Sequence, residues 1–102
     1  MTIYGTARVD STAKVDPTAE IGANARVGRY CVIGKGARIG EHAVIGVGAV
    51  IEASAVIGQG AVIGMAALIG ERTVIAEYAE IARYCIIAPD LQIDKRRGGL
   101  TR

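Results

Sequence analysis

From Ile3 onward, every sixth residue of the chain is isoleucine or valine: Ile3, Val9, Val15, Ile21, Val27, Ile33, Ile39, Ile45, Ile51, Ile57, Ile63, Ile69, Ile75, Ile81, Ile87 and Ile93. The series runs sixteen steps without a slip, and thirteen of the fourteen isoleucines lie on it, Ile86 being the exception. A period of six fits neither the 3.6-residue turn of a helix nor a long alternating strand. Self-similarity at a fixed spacing means that one short unit is stacked on copies of itself.

The other positions of the hexad define that unit. From Ala7 onward the side chain two residues before the aliphatic position is small, as at Ala7, Ala25, Cys31, Ala37, Ala61, Thr73 and Cys85, and this rule fails only at the end, at Leu91 and Arg97. The residue after the aliphatic one is glycine in eight of sixteen hexads, from Gly22 to Gly70. Side chains two apart share one face of a strand, and the residue between them points the other way. Small and aliphatic residues therefore point inward together, and glycine with the two free positions makes a turn. Strand and turn within six residues leave no room for a helix, so the fold class is all-β: a coil of short parallel strands. Composition agrees. The chain is 51% apolar yet has no Phe, no Trp and four Tyr, so Ile, Val and Ala must fill a narrow interior where large rings usually serve.

Over essentially its whole length this pattern resembles the hexapeptide-repeat family, the left-handed parallel β-helix proteins. The resemblance implies three hexads per triangular coil, hence eighteen residues per turn and five to six coils. It also implies left-handed winding, against the usual right-handed crossover. Because the hexad count never slips, no loop is expected to project. We expect the β-helix over 1–94 and a short basic tail over 95–102.

Sorting the outward residues by coil gives three faces. The first reads Lys14, Val32, Val50, Leu68, Ile86; the second Arg8, Arg26, Val44, Val62, Glu80; the third Glu20, Arg38, Val56, Val74, Gln92. We call them the Leu68, Arg8 and Glu20 faces. The Leu68 face is the apolar one, and the corner entering it carries Tyr30, Val47, Met65 and Tyr84. Together with Val32, Val50, Leu68 and Ile86 these residues form one strip of the kind that marks an interaction surface. The resemblance implies a parallel homotrimer packed around such faces. The expected partner is thus a second copy of the chain, with end-to-end stacking into a filament as the other form of self-association, since open parallel-strand edges attract further strands.

Function classes narrow by exclusion. A net charge of +2 makes no case for nucleic acid or an acidic membrane. No apolar run approaches the roughly twenty residues of a transmembrane span. The N-terminal residues lack a basic segment followed by an apolar one, and two cysteines without a secretion signal fit the cytoplasm. Cys31 and Cys85 fall on one inward face three coils apart, about 14 Å at the strand-layer spacing, which is beyond disulfide reach; both read as core residues. One histidine per chain supplies no metal set unless three chains each give one. Glycine pairs such as Gly34 and Gly36 belong to the repeat, and Pro17 and Pro89 read as turn residues.

The stretch Ile21-Gly22-Ala23-Asn24-Ala25-Arg26-Val27-Gly28-Arg29-Tyr30-Cys31-Val32-Ile33-Gly34 is similar to segments of the lipid A acyltransferases. That resemblance implies acyl transfer from coenzyme A or an acyl-carrier thioester, with a histidine as general base in a cleft between subunits. His42 is the only histidine and so the one candidate. It occupies the second free turn position, where other hexads hold Asn24, Gly36, Gly48, Gly60 and Asp90, residue types that tolerate a left-handed backbone. Glu41, Gly60 and Tyr78 lie at or near the same corner, so a pocket could form among them. Yet there is no projecting loop and no paired His-x-x-His-Asp stretch. On these residues alone the favoured expectation is a self-associating structural scaffold without cofactor, with a minimal acyltransferase based on His42 as the alternative.

Overall fold

The computed structural model describes residues 2–94; the basic tail expected over 95–102 lies outside them. Sixteen two-residue strands follow one another at the six-residue period. They sort by threes into parallel sheets. The Glu20 face orders β1 (Thr2–Ile3), β4 (Glu20–Ile21), β7 (Arg38–Ile39), β10 (Val56–Ile57), β13 (Val74–Ile75) and β16 (Gln92–Ile93). The Arg8 face orders β2 (Arg8–Val9), β5 (Arg26–Val27), β8 (Val44–Ile45), β11 (Val62–Ile63) and β14 (Glu80–Ile81). The Leu68 face orders β3 (Lys14–Val15), β6 (Val32–Ile33), β9 (Val50–Ile51), β12 (Leu68–Ile69) and β15 (Ile86–Ile87). The three faces close into a left-handed parallel β-helix of about five turns.

Register is uniform because the inner pattern permits no other. Each aliphatic residue pairs with the one eighteen places on, as in Ile39 with Ile57 and Ile57 with Ile75. A slip of one residue would turn every inner side chain outward. The ladder runs from coil to coil through amides such as Arg26 N, which donates to Ala43 O at 2.8 Å, and Val44 N, which donates to Ala61 O at 2.9 Å.

Each corner is a hydrogen-bonded turn. At the corner holding His42, Ala43 N donates to Gly40 O at 3.2 Å, and His42 has φ of 63°. A positive φ at the third residue of such a turn is the mark of type II. The opening glycine has a separate reason. A Cβ on Gly40 would lie 2.7 Å from Gln59 N and 2.8 Å from Gly58 C, so a side chain here would have to push back the backbone of the next coil.

Inside, isoleucines such as Ile21, Ile45, Ile57 and Ile69 alternate with the alanine columns and are fully buried. Thr73 is the one buried polar side chain among the described residues. Its hydroxyl donates to Ala88 O at 2.7 Å and accepts from Leu91 N at 3.3 Å, which satisfies it in the apolar interior. Cys31 is buried as expected and its thiol donates to Gly46 O at 2.9 Å; burial pushes that thiol up from its ordinary pKa. Cys85 is half-buried, and neither cysteine is in a disulfide. No helix among the described residues is long and apolar enough to cross a membrane.

Candidate functional site

His42 stands on the corner that leads from the Glu20 face to the Arg8 face. The stacked third-turn positions of that corner are Thr6, Asn24, His42, Gly60 and Tyr78. Asn24, His42, Gly60 and Tyr78 all have positive φ, at 62°, 63°, 69° and 62°, so the expectation of a left-handed backbone here holds. Each turn amide is bonded to the coil before it: His42 N donates to Ala23 O at 3.0 Å, Gly60 N to Glu41 O at 2.8 Å and Tyr78 N to Gln59 O at 2.9 Å. These amides of the corner are therefore engaged, and the backbone under His42 is held in place.

On the C-terminal side of His42 the corner is filled. The Tyr78 ring lies over Gly60, where a Cβ would strike it, and the Tyr78 hydroxyl accepts from Gln59 Nε2 at 3.4 Å. The groove that His42 lines is bounded by none of Glu41, Gly60 and Tyr78. Glu41 instead borders a separate groove on the Glu20 face, with Tyr4, Arg38 and Gln59. The physical reason is that an aromatic ring seated beside a glycine takes the space the missing side chain leaves.

On the N-terminal side the corner is open. An open groove of about 620 Å³ is lined there by Thr6, Arg8, Asn24, Arg26, His42 and Val44. Thr6 Oγ1 accepts from Asn24 N at 3.0 Å, which fixes the floor of the groove. Among the described residues, no hydrogen bond or ion pair engages the imidazole of His42 or the guanidinium of Arg8 or Arg26. Sequence reasoning assigned no role to Arg8 and Arg26. The signal was present, since the two are register partners on β2 and β5, one coil apart on the face that His42 enters.

The strip expected to mediate self-association is continuous and open to solvent. Tyr84 and Ile86 are 65% and 64% exposed, Tyr30, Val32, Val47 and Met65 are exposed, and Val50 and Leu68 are half-buried. The Tyr84 hydroxyl donates to Met65 Sδ at 3.9 Å, and the Arg29 guanidinium lies 6.0 Å from the centre of the Tyr30 ring. The third corner is polar. Arg72 Nε donates to Asp90 Oδ1 at 2.6 Å and Arg72 Nη2 to Asp90 Oδ2 at 3.1 Å. The hydrogen bond from Arg72 and its charge hold the Asp90 carboxyl below its ordinary pKa. Hydrogen bonds from Thr12 and Thr18 do the same for Asp10 and Asp16. No cluster of three or more His, Cys, Asp or Glu that could hold a metal ion occurs among the described residues.

Residues 18–53 match the family profile of the bacterial transferase hexapeptide (six repeats). That match covers β4 to β9 and the turn that holds His42. The match lies within the hexad series that runs from Ile3 to Ile93. No curated protein sequence matches it. Among solved structures, the repeat protein is similar to the UDP-N-acetylglucosamine acyltransferase of Francisella novicida, at 23% identity over 91% of this chain and 45% of that one, with a TM-score of 0.58. It is similar to the acetyltransferase domain of PglB from Neisseria gonorrhoeae, at 17% identity over 85% and 48%, with a TM-score of 0.56. It is also similar to the GDP-perosamine N-acetyl transferase of Caulobacter crescentus, solved with CoA and GDP-perosamine, at 22% identity over 92% and 46%, with a TM-score of 0.53. At these identities the likeness establishes the fold. The hexapeptide-repeat chain spans about half the length of each of these structures.

Proposed function

We propose that the chain is an acyltransferase of the hexapeptide-repeat type, with His42 as general base. One observation carries this reading: the only histidine lies in a polar groove, its backbone locked by the turn and its imidazole engaged by no other described residue. A base must be held in place and yet be available to a substrate proton. A coenzyme A or acyl-carrier thioester would supply the acyl group, and Thr6 and Asn24 offer hydrogen-bonding groups along the same groove. His42 would take the proton of an acceptor hydroxyl or amine as that atom closes on the carbonyl carbon. It would return the proton to the sulfur as the carbon–sulfur bond breaks. The match to the transferase hexapeptide over residues 18–53 supports this reading above a purely structural one.

The test is thiol release from acetyl-coenzyme A in the presence of a panel of amino and hydroxyl acceptors. His42→Asn should lower the rate by roughly 100-fold or more, the usual range for loss of a general base, with the circular-dichroism spectrum unchanged. An undiminished rate in a folded His42→Asn variant would remove His42 from the mechanism.

Self-association belongs to the same proposal. Tyr30, Val32, Val47, Val50, Met65, Leu68, Tyr84 and Ile86 would pack copies of the chain together, with three copies around the Leu68 faces as the assembly. The second reading, a scaffold without catalysis, is favoured by the sixteen hexads and the lack of any projecting loop among the described residues. Under it the His42→Asn variant would assemble as the parent does and there would be no transfer to lose.

A further inference from the structure

The corners of the coil formed by β1, β2 and β3 are built differently from the corners that follow. From Asn24 to Asp90, each of the twelve third-turn residues has positive φ. From His42 onward the amide of that residue donates to a carbonyl of the coil before it, as Gly48 N does to Arg29 O at 2.8 Å and Ser54 N to Lys35 O at 2.7 Å. Thr6, Thr12 and Thr18 hold the same position in the coil of β1 to β3, and none of them has positive φ. Their turns still close, with Ala13 N donating to Asp10 O and Ala19 N to Asp16 O, both at 2.9 Å. A closed turn with negative φ at its third residue is type I, which favours Asp at its first residue and Pro at its second. Asp10, and Asp16 with Pro17, fit it. Type I reverses the central peptide relative to type II, so the carbonyl that would reach the next coil is turned away. The threonine hydroxyls replace it: Oγ1 of Thr6, Thr12 and Thr18 accepts from Asn24 N at 3.0 Å, Tyr30 N at 2.9 Å and Gly36 N at 2.8 Å. The amides of Thr12 and Thr18 are spent inside their own turns, on Asp10 Oδ1 and Asp16 Oδ1, each at 2.9 Å. At the Thr6 corner Tyr4 stands where the other two have Asp, and the Thr6 amide has no acceptor among the described residues.

We infer that the coil of β1 to β3 is a one-sided collar, which ties itself to the coil after it and refuses a second copy of the chain at its N-terminal edge. A copy stacked in the register of the repeat would offer the carbonyl oxygens of its own turns to the third-turn amides of this coil. At Thr12 and Thr18 each such oxygen would meet a carboxylate oxygen already bonded to the amide, with no proton between the two. Hydrogen bonds from Thr12 and Thr18 keep the carboxyls of Asp10 and Asp16 ionised at neutral pH. Neither carboxylate has an ion pair among the described residues, and covering an unpaired carboxylate is costly. The strand edges between the corners are two residues long, and very short edge strands attract further strands poorly. Stacking end to end grows without limit, whereas packing around the Leu68 faces closes at a fixed number. The collar therefore selects between the two forms of self-association and leaves the side wall as the surface for a second copy. It does not depend on acyl transfer.

The test gives the collar the turn residues of the coil that follows it. Asp10→Gly, Thr12→Asn, Asp16→Gly and Thr18→Asn are combined in one variant, on the pattern of Gly22 and Asn24, and circular dichroism checks its fold. Light scattering and negative-stain images then follow parent and variant over a wide range of concentration. The parent should keep a fixed mass, and the variant should grow with concentration into rods of the parent's width. Rods in the parent, or a folded variant with the parent's mass at every concentration, would overturn the collar. Amide hydrogen exchange in the parent gives a second reading that needs no variant. The Thr12 and Thr18 amides should exchange at least about tenfold more slowly than the Thr6 amide, the size expected for a hydrogen bond to a charged acceptor. Equal exchange at the three corners would overturn the collar whether or not the variant folds. Leu68→Lys should leave exchange at Thr12 and Thr18 unchanged, so failure of the Leu68 strip and failure of the collar are separate results.

Discussion

The Leu68 and Arg8 faces are the same structure on the inside and opposite structures on the outside. Ile51 and Ile69 behind one, and Ile45 and Ile63 behind the other, are equally buried and share one ladder geometry. Outside, one face stacks Val32, Val50, Leu68 and Ile86, and the other begins with two unpaired arginines. The difference teaches that this fold separates its two tasks by residue parity. Inner positions specify the coil and are indifferent to the face. Outer positions carry whatever chemistry there is and cost the coil little.

That separation can be broken in four ways, of decreasing size. Replacing Ile51 or Ile45 by alanine should cost about 2–5 kcal/mol in either case, read from urea unfolding. A large gap between the two would mean that the faces do influence the core. Gly40→Ala forces a Cβ against the backbone of the next coil and should cost about 1–3 kcal/mol, as overpacking does, with melting as the readout. Leu68→Lys should reduce the mass seen by light scattering while the fold persists, whereas Val62→Lys on the Arg8 face should leave the mass unchanged. An equal effect of the two would sink the Leu68 strip as the interface. The smallest effect is in acid. Asp10, Asp16 and Asp90 have folded pKa values below the ordinary carboxylate value. Their contribution is therefore present above the unfolded value of about 3.9 and is lost as pH falls through the lower folded values. Asp90 is exposed and Asp10 and Asp16 are only half-buried, so only a slight fall in melting temperature below pH 4 is expected, and it should be smaller still at high salt.

Almost all of the fold was legible in the sequence because a single column specifies it. Each of the sixteen aliphatic positions repeats the same instruction, so misreading one would not move the others. The left-handed turn residues were legible too, since Asn24, Gly36, Gly48 and Gly60 are the types that tolerate positive φ. Tyr30, Tyr78, Tyr84 and Arg72 sit in that conformation as well and were not predictable by type; the ladder enforces it upon them. The surroundings of His42 were legible only in part. Which neighbours share its corner follows from the period, but which way the groove opens depends on the Tyr78 ring settling over Gly60, a side-chain choice that no period encodes. Arg8 and Arg26 were overlooked because charge at an outward position is ordinary until its partner one coil away is found to have the same sign.

The threefold coil has a consequence for how such a chain can change in length. Loss or gain of eighteen residues removes or adds one storey and leaves every later residue on its old wall. Loss or gain of six keeps the interior intact but turns everything downstream by a third of a revolution, so the apolar strip and the arginine groove would each be continued on a different wall. A small insertion that the core does not feel could thus exchange the building's front door for its party wall in a single step.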